Sequence, residues 1–260
     1  MSYKPFDLTG KVALVTGGNR GIGYGMAEAL GQSGAAIAIW GRGAERNEEA
    51  IAKLTAQGIK AKGYVVDVAD EAAVIAATAQ TVADFGRLDT VIANAGIGGG
   101  APSFAEFPTE QWRRVLAVDL DGVFWTFREA CKHIVARAKA GDPGGSLIAI
   151  SSVSAIHGAP RNQAYASAKG ALTAMTKGIA MEYARYGVRA NTILPGWVHT
   201  ELAGPALDSK GFQEKVLPRM PVRRWGDPAD FGGIAVYLAS DASAFHTADL
   251  IVIDGGYTAF

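Results

Sequence analysis

Short apolar runs alternate with longer amphipathic stretches along most of the chain, and glycine or polar turns mark the switches. Val12 to Thr16, introduced by Lys11, is almost continuously apolar, which predicts a strand buried on both faces. Ile22 to Ser33 reads as a helix stopped at Gly34, and Ala35 to Trp40 as a second buried strand. Glu45 to Gln57 carries Ile51 and Leu54 at helical spacing, and Ala61 to Val66 follows as a third strand. The alternation continues with a helix over Glu71 to Phe85 and a strand over Leu88 to Ala93. Next comes one long helical stretch over Thr109 to Ala140, with Thr109 expected as N-cap. Ser146 to Ile150, Val188 to Leu194 and Leu250 to Ile253 complete the strands. Asn162 to Tyr186 and Pro228 to Ser240 complete the helices.

Doubly apolar strands, each followed by a helix, imply α/β architecture with helices covering both faces of a parallel sheet. Right-handed crossovers then give a Rossmann-like doubly wound sheet. No compositional break divides residues 1–260, so a single catalytic domain is expected. The longest irregular stretch, about Pro195 to Gly226, is expected to carry a substrate lid over 196–226.

Composition narrows the partners. The 25 basic and 25 acidic residues cancel, and no long block of like charge gives a nucleic acid or an anionic membrane a footprint. No apolar run is long enough to span a bilayer, and Met1 to Lys11 lacks a secretory core, so a cytoplasmic protein is expected. The lone Cys131 precludes an intrachain disulfide and reads as a packed spectator on a helix. His157 and His199 share no ligand spacing with other donors, so no metal is expected; His157 could line a pocket, whereas His199 points elsewhere.

The glycine cluster after the first strand changes the picture most. Gly17-Gly18-Asn19-Arg20-Gly21-Ile22-Gly23 joins strand to helix. There glycines permit a tight turn and close backbone approach, while the helix N-terminus offers free N–H groups to a pyrophosphate. At the end of the second strand, Ile39-Trp40-Gly41-Arg42 lacks the acid that would bind a ribose 2′-hydroxyl. Arg42, joined by Arg20, would instead meet a 2′-phosphate, so NADP is preferred with NAD possible; the bland alternative is that both arginines are only solvated.

Four motifs in order resemble the short-chain dehydrogenase/reductase family: Thr16-Gly17-x-x-x-Gly21-Ile22-Gly23, Asn94-Ala95-Gly96, Ser152, and Tyr165-x-x-x-Lys169. The resemblance covers nearly the whole chain from about Gly10. It implies an NAD(P)-dependent oxidoreductase that interconverts an alcohol and a ketone. It implies that Asp67 and Val68 face the adenine, that Asn94, Ala95 and Gly96 form a cofactor-facing turn, and that Pro195, Gly196, Val198 and Thr200 hold the nicotinamide. Gly255-Gly256 matches the family's terminal pattern, and many members are homotetramers.

The chemistry suits these residues. A ketone needs a proton on oxygen as it takes a hydride on carbon. A phenol ordinarily holds its proton to about pH 10, and a neighbouring ammonium favours its release. Lys169 lies one turn beyond Tyr165 on the same helical face, which makes Tyr165 the acid/base. By resemblance Lys169 also binds the nicotinamide ribose. Ser152 would hold the substrate oxygen against the phenol. One departure stands out: Asp119 occupies the position where the family often has an asparagine that anchors a relay water. A backbone carbonyl can still hold that water, but an ionised Asp119 near Lys169 favours the charged lysine and alters the relay. Trp197, Leu202, Leu207 and Phe212 are expected either to cover the substrate or to pack. Trp112, Phe124, Trp125 and Phe127 read as core or subunit contact on one long helix. Sugars, polyols or other small carbonyl compounds are the expected substrates. A 3-oxoacyl thioester reductase, or an NADP(H)-binding sensor without turnover, uses the same residues.

Overall fold

The structure is a computed structural model that describes residues 4–259, the side chains of 205 and 206 aside. Its centre is a seven-stranded sheet in the order β3-β2-β1-β4-β5-β6-β7. The strands are β1 (Val12–Thr16), β2 (Ala36–Gly41), β3 (Ala61–Val65), β4 (Thr90–Ala93), β5 (Gly145–Ile150), β6 (Val188–Pro195) and β7 (Leu250–Ile253). All neighbours pair in parallel; Val15 aligns with Ile39 on one side and Ile92 on the other. Every residue of β1 and β4 is buried, because helices cover both faces.

Side chains alternate between two cores. Leu14 and Trp40 pack with Phe127, Ile134 and Leu172 on one face; Val15 and Ile39 pack with Met26, Leu30, Leu54 and Leu238 on the other. The first layer is built by α3 (Glu71–Phe85), α5 (Gly122–Lys139) and α7 (Gln163–Tyr183), with α4 (Thr109–Leu116) packed on α7. The second is built by α1 (Gly21–Gln32), α2 (Ala44–Ala56) and α10 (Gly232–Ala239). Short helices α6 (Ser154–His157), α8 (Gly204–Leu207) and α9 (Lys210–Val216) sit in the loops beyond β5 and β6.

The strand order reverses direction between β1 and β4, which opens a crevice at their carboxyl ends where ligands bind in such sheets. Three expectations need correction. The stretch 109–140 is not one helix: a π-helical turn, Ala117–Asp121, separates α4 from α5, so Trp112 lies on a different helix from Phe124, Trp125 and Phe127. The N-cap of α4 is Pro108, and Thr109 is its first helical residue. The edge strands β3 and β7 contain no fully buried residue, since each has a neighbour on one side only. Among the described residues no helix is long and apolar enough to cross a membrane.

Candidate active site

The glycine turn leaves β1 at Gly17, whose φ of +62° lies in the left-handed region. Asn94, just past β4, closes it: its side-chain amide donates to the Thr16 and Gly17 carbonyls at 3.0 and 3.2 Å. The Thr16 hydroxyl accepts from the amides of Asn94 and Ala95, both at 3.0 Å. A Cβ on Gly23 would stand 2.4 Å from Asn94 Nδ2 and 2.5 Å from the Gly17 carbonyl, so only glycine lets α1 start this close to the turn. The amides of Gly21, Ile22 and Gly23 find no acceptor among the described residues, and Arg20 supplies no side-chain cap. These orphan donors at a helix N-terminus suit an anion.

Asn19 donates to Asn47 Oδ1 at 2.7 Å. Asn47 in turn donates to the Gly41 and Tyr64 carbonyls, both at 2.9 Å, which stitches α2 to the ends of β2 and β3. Arg42 is exposed at the end of β2. Arg20 does not stand free beside it: its guanidinium pairs with Glu201, and Arg46 approaches the same carboxylate at 3.3 Å. Glu201 and Arg46 escaped the sequence reading; the signal for Arg46 was a second cation four residues beyond Arg42, in the first turn of α2. Asp67 is exposed and its carboxylate accepts from the Ala69 amide at 3.0 Å, while Val68 is buried against Gly122.

The segment after β6 comes back to the glycine turn. A Cβ on Gly21 would lie 3.2 Å from Thr200 Cγ2. Pro195 accepts from the Val153 amide at 3.0 Å, which ties β6 to the loop holding Ser152. Gly196 donates to Ile253 at 2.9 Å, and buried Val198 bridges Gly226. Trp197 meets Phe212 edge-on at 4.9 Å, and Phe212 stacks on Trp225 at 6.2 Å. Leu207 is buried and Leu202 exposed. His199 is exposed, and exposed His157 meets Tyr257 edge-on at 5.9 Å.

Beside that crevice, α7 presents Tyr165 and Lys169 on one face. The Lys169 ammonium lies over the Tyr165 ring, 5.4 Å from its centroid. It donates to the Ile150 carbonyl at 3.1 Å and stands 3.2 Å from Asp119 Oδ2. Asp119 is wholly buried on the π-helical turn, and its Oδ1 accepts from the Ile97 amide at 2.8 Å. Burial pushes the lysine toward its neutral form, but the Asp119 carboxylate and the Tyr165 oxygen together outweigh it, and the Lys169 pKa is raised. Ser151, also unforeseen, donates to the Lys169 carbonyl at 2.7 Å and fixes α7 against β5. Ser152 is partly buried, and its hydroxyl accepts from the Ser154 amide at 3.1 Å.

A parallel sheet with a glycine turn at its switch point and a lysine–tyrosine pair beyond β5 defines a dinucleotide-dependent class of oxidoreductase. The chain belongs to the short-chain dehydrogenase/reductase family, and a family model described as enoyl-(acyl carrier protein) reductase matches residues 17–258. It is 37% identical over 251 residues to 5-keto-D-gluconate 5-reductase of Escherichia coli K12, covering 96% of each chain. It is 39% identical over 256 residues to the NADP-dependent (R)-specific alcohol dehydrogenase of Lentilactobacillus kefiri, covering 97% of this chain and 98% of the other. A crystal structure of gluconate 5-dehydrogenase from Burkholderia cenocepacia J2315, in complex with NADP and tartrate, superposes with a TM-score of 0.92 at 37% identity over 98% of both chains.

Proposed function

We propose that this chain is an NADP-preferring oxidoreductase that interconverts a secondary alcohol and a ketone in a sugar, polyol or sugar acid. The observation that carries the reading is the buried Lys169 ammonium held over the Tyr165 ring at the carboxyl end of β5. The relatives' names point to the substrate class, since two of those described act at C5 of gluconate or its ketone.

The residues present fit the cofactor. The free amides of Gly21, Ile22 and Gly23 suit its pyrophosphate. Arg42, with no acid beside it, suits a 2′-phosphate; Arg20 and Arg46 are close enough to share one anion, as both contact Glu201. Asp67 and Val68 would face the adenine, Asn94, Ala95 and Gly96 form the cofactor-facing turn, and Pro195, Gly196, Val198 and Thr200 would hold the nicotinamide. When bound, the reduced dinucleotide supplies a hydride to the carbonyl carbon. Tyr165 gives its hydroxyl proton to the substrate oxygen as negative charge develops there. Lys169 stabilises the phenolate left behind, and Ser152 donates a hydrogen bond to the same oxygen. Oxidation runs these proton steps backwards.

Residues 196–226 act as a cover over the substrate within a single domain. The Val198–Gly226 bridge pins the two ends of this excursion together and leaves Leu202 exposed between them. A homotetramer in the cytoplasm fits the surface: Val252 on edge strand β7, Phe124 on α5 and Met181 on α7 are exposed. The lone thiol, Cys131, is pushed by burial up to about 12 and needs no oxidising compartment.

The test is NADPH consumption with a panel of ketoses, keto-sugar acids, simple ketones and a 3-oxoacyl thioester, repeated with NADH. Turnover of a ketose or keto-sugar acid, faster with NADPH, is the expected result. A thioester as the only substrate would contradict the substrate class, and no turnover alongside tight NADPH binding would favour a sensor.

A further inference from the structure

Asp119 makes this site electrostatically different from one with a neutral side chain at the same place. The carboxylate is wholly buried, and the lysine beside it is almost so. Oδ1 is occupied by the Ile97 amide at 2.8 Å. Oδ2 has no well-aligned hydrogen bond and faces the ammonium at 3.2 Å, so it acts on Lys169 chiefly as a charge. The π-helical turn 117–121 sets this position by turning the buried carboxylate toward α7. The loop after β4 roofs the pair without adding charge: a Cβ on Gly96 would lie 3.0 Å from Asp119 Oδ2 and 3.2 Å from Lys169 Nζ. From β5 the contact is the neutral Ile150 carbonyl. Asp119 and Tyr165 are the titratable groups acting on Lys169.

We infer that Asp119 is a positioning residue that neutralises the Lys169 cation, so that Tyr165 stays in its proton-donating form to higher pH and the enzyme is biased toward ketone reduction. The inference rests on Tyr165 being the acid/base. A lone ammonium over the phenol would favour the phenolate with its full charge; an ion pair presents only a dipole, whose effect falls off faster with distance. The lysine thereby remains a fixed, protonated donor for the Ile150 carbonyl and a ligand, while its pull on the tyrosine proton is weakened. In reduction the carbonyl carbon gains the hydride, the oxygen gains the Tyr165 proton, and the phenolate is reprotonated from solvent. A protonated resting tyrosine is the form that step requires, whereas oxidation requires the phenolate.

Asp119→Asn keeps the shape and the acceptor for the Ile97 amide while removing the charge. The test measures the pH profile of kcat/KM for alcohol oxidation in the wild type and in Asp119→Asn. It adds ultraviolet difference titration of the tyrosinate, each protein against its own Tyr165→Phe counterpart, without cofactor. With Lys169 kept protonated by the Ile150 carbonyl and the Tyr165 oxygen, the rising limb of oxidation and the Tyr165 tyrosinate signal should both move to lower pH in Asp119→Asn, by about one unit. Limbs that coincide, or that move to higher pH, would overturn the inference. Asp119→Ser, equally uncharged, carries the same prediction should the asparagine variant fold poorly. If Tyr165→Phe itself retains turnover, the acid/base assignment has failed; if it is inactive and the limbs coincide, only the role of Asp119 has failed.

Discussion

Lys169 is charged because of where it is and what it faces. Burying an ammonium costs solvation, and Asp119, the Ile150 carbonyl and Tyr165 together offset that cost while holding Lys169 over the Tyr165 ring. Arg42 is a contrasting cation, exposed at the end of β2, where a solvated side chain contributes little to stability and is free to meet an incoming phosphate. Arg42→Ala should therefore leave the melting temperature nearly unchanged and weaken NADPH about tenfold or more, while NADH binding changes little. Isothermal titration with both dinucleotides checks this, and equal losses for both would remove Arg42 from the 2′-phosphate. At this scale the candidate site residues were legible because each sits in a short spaced motif. The partner of Arg20 was not: Glu201 is brought to it by the return of the chain after β6, a contact between residues 181 positions apart that no local pattern encodes.

The elements follow from patterning, with boundaries set by packing. Central strands read clearly because they are apolar on both faces, as the wholly buried β1 and β4 are. The π-helical turn was invisible because 117–121 contains no proline or glycine, and a single inserted residue leaves the surrounding helical spacing almost intact. Yet that turn carries Asp119, so the least legible element holds the residue that departs from the family. Thr109 looked like a cap from its side chain alone, but the extended backbone of Pro108 takes the cap position. Helix α1 shows how closely the elements fit. A Cβ on Gly25 would stand 2.4 Å from the Pro228 carbonyl oxygen, backbone that cannot swing aside. Gly25→Ala should cost about 1–3 kcal/mol through overpacking and lower the melting temperature by several degrees. Calorimetry checks it, and an unchanged transition would show that this contact relaxes freely.

At the scale of the whole molecule, the sheet order decides what can react with what. Reversal between β1 and β4 opens the crevice, and the parallel strands deliver the glycine turn, the Asn94 turn, Ser152 and Pro195 to one edge. Helix α7 then runs against β5 and β6 and brings Tyr165 and Lys169 to that edge, while the π-helical turn places Asp119 behind them. Residues from more than half the length of the chain thus meet around Tyr165, whose hydroxyl proton is the one the proposed reaction moves. The most direct measurement is the turnover of Tyr165→Phe on a substrate the wild type reduces, taken with its NADPH affinity. Retained affinity with turnover reduced by about a thousandfold or more is the predicted result, since general acid catalysis contributes 100- to 10,000-fold. Turnover within a few-fold of wild type would contradict the account.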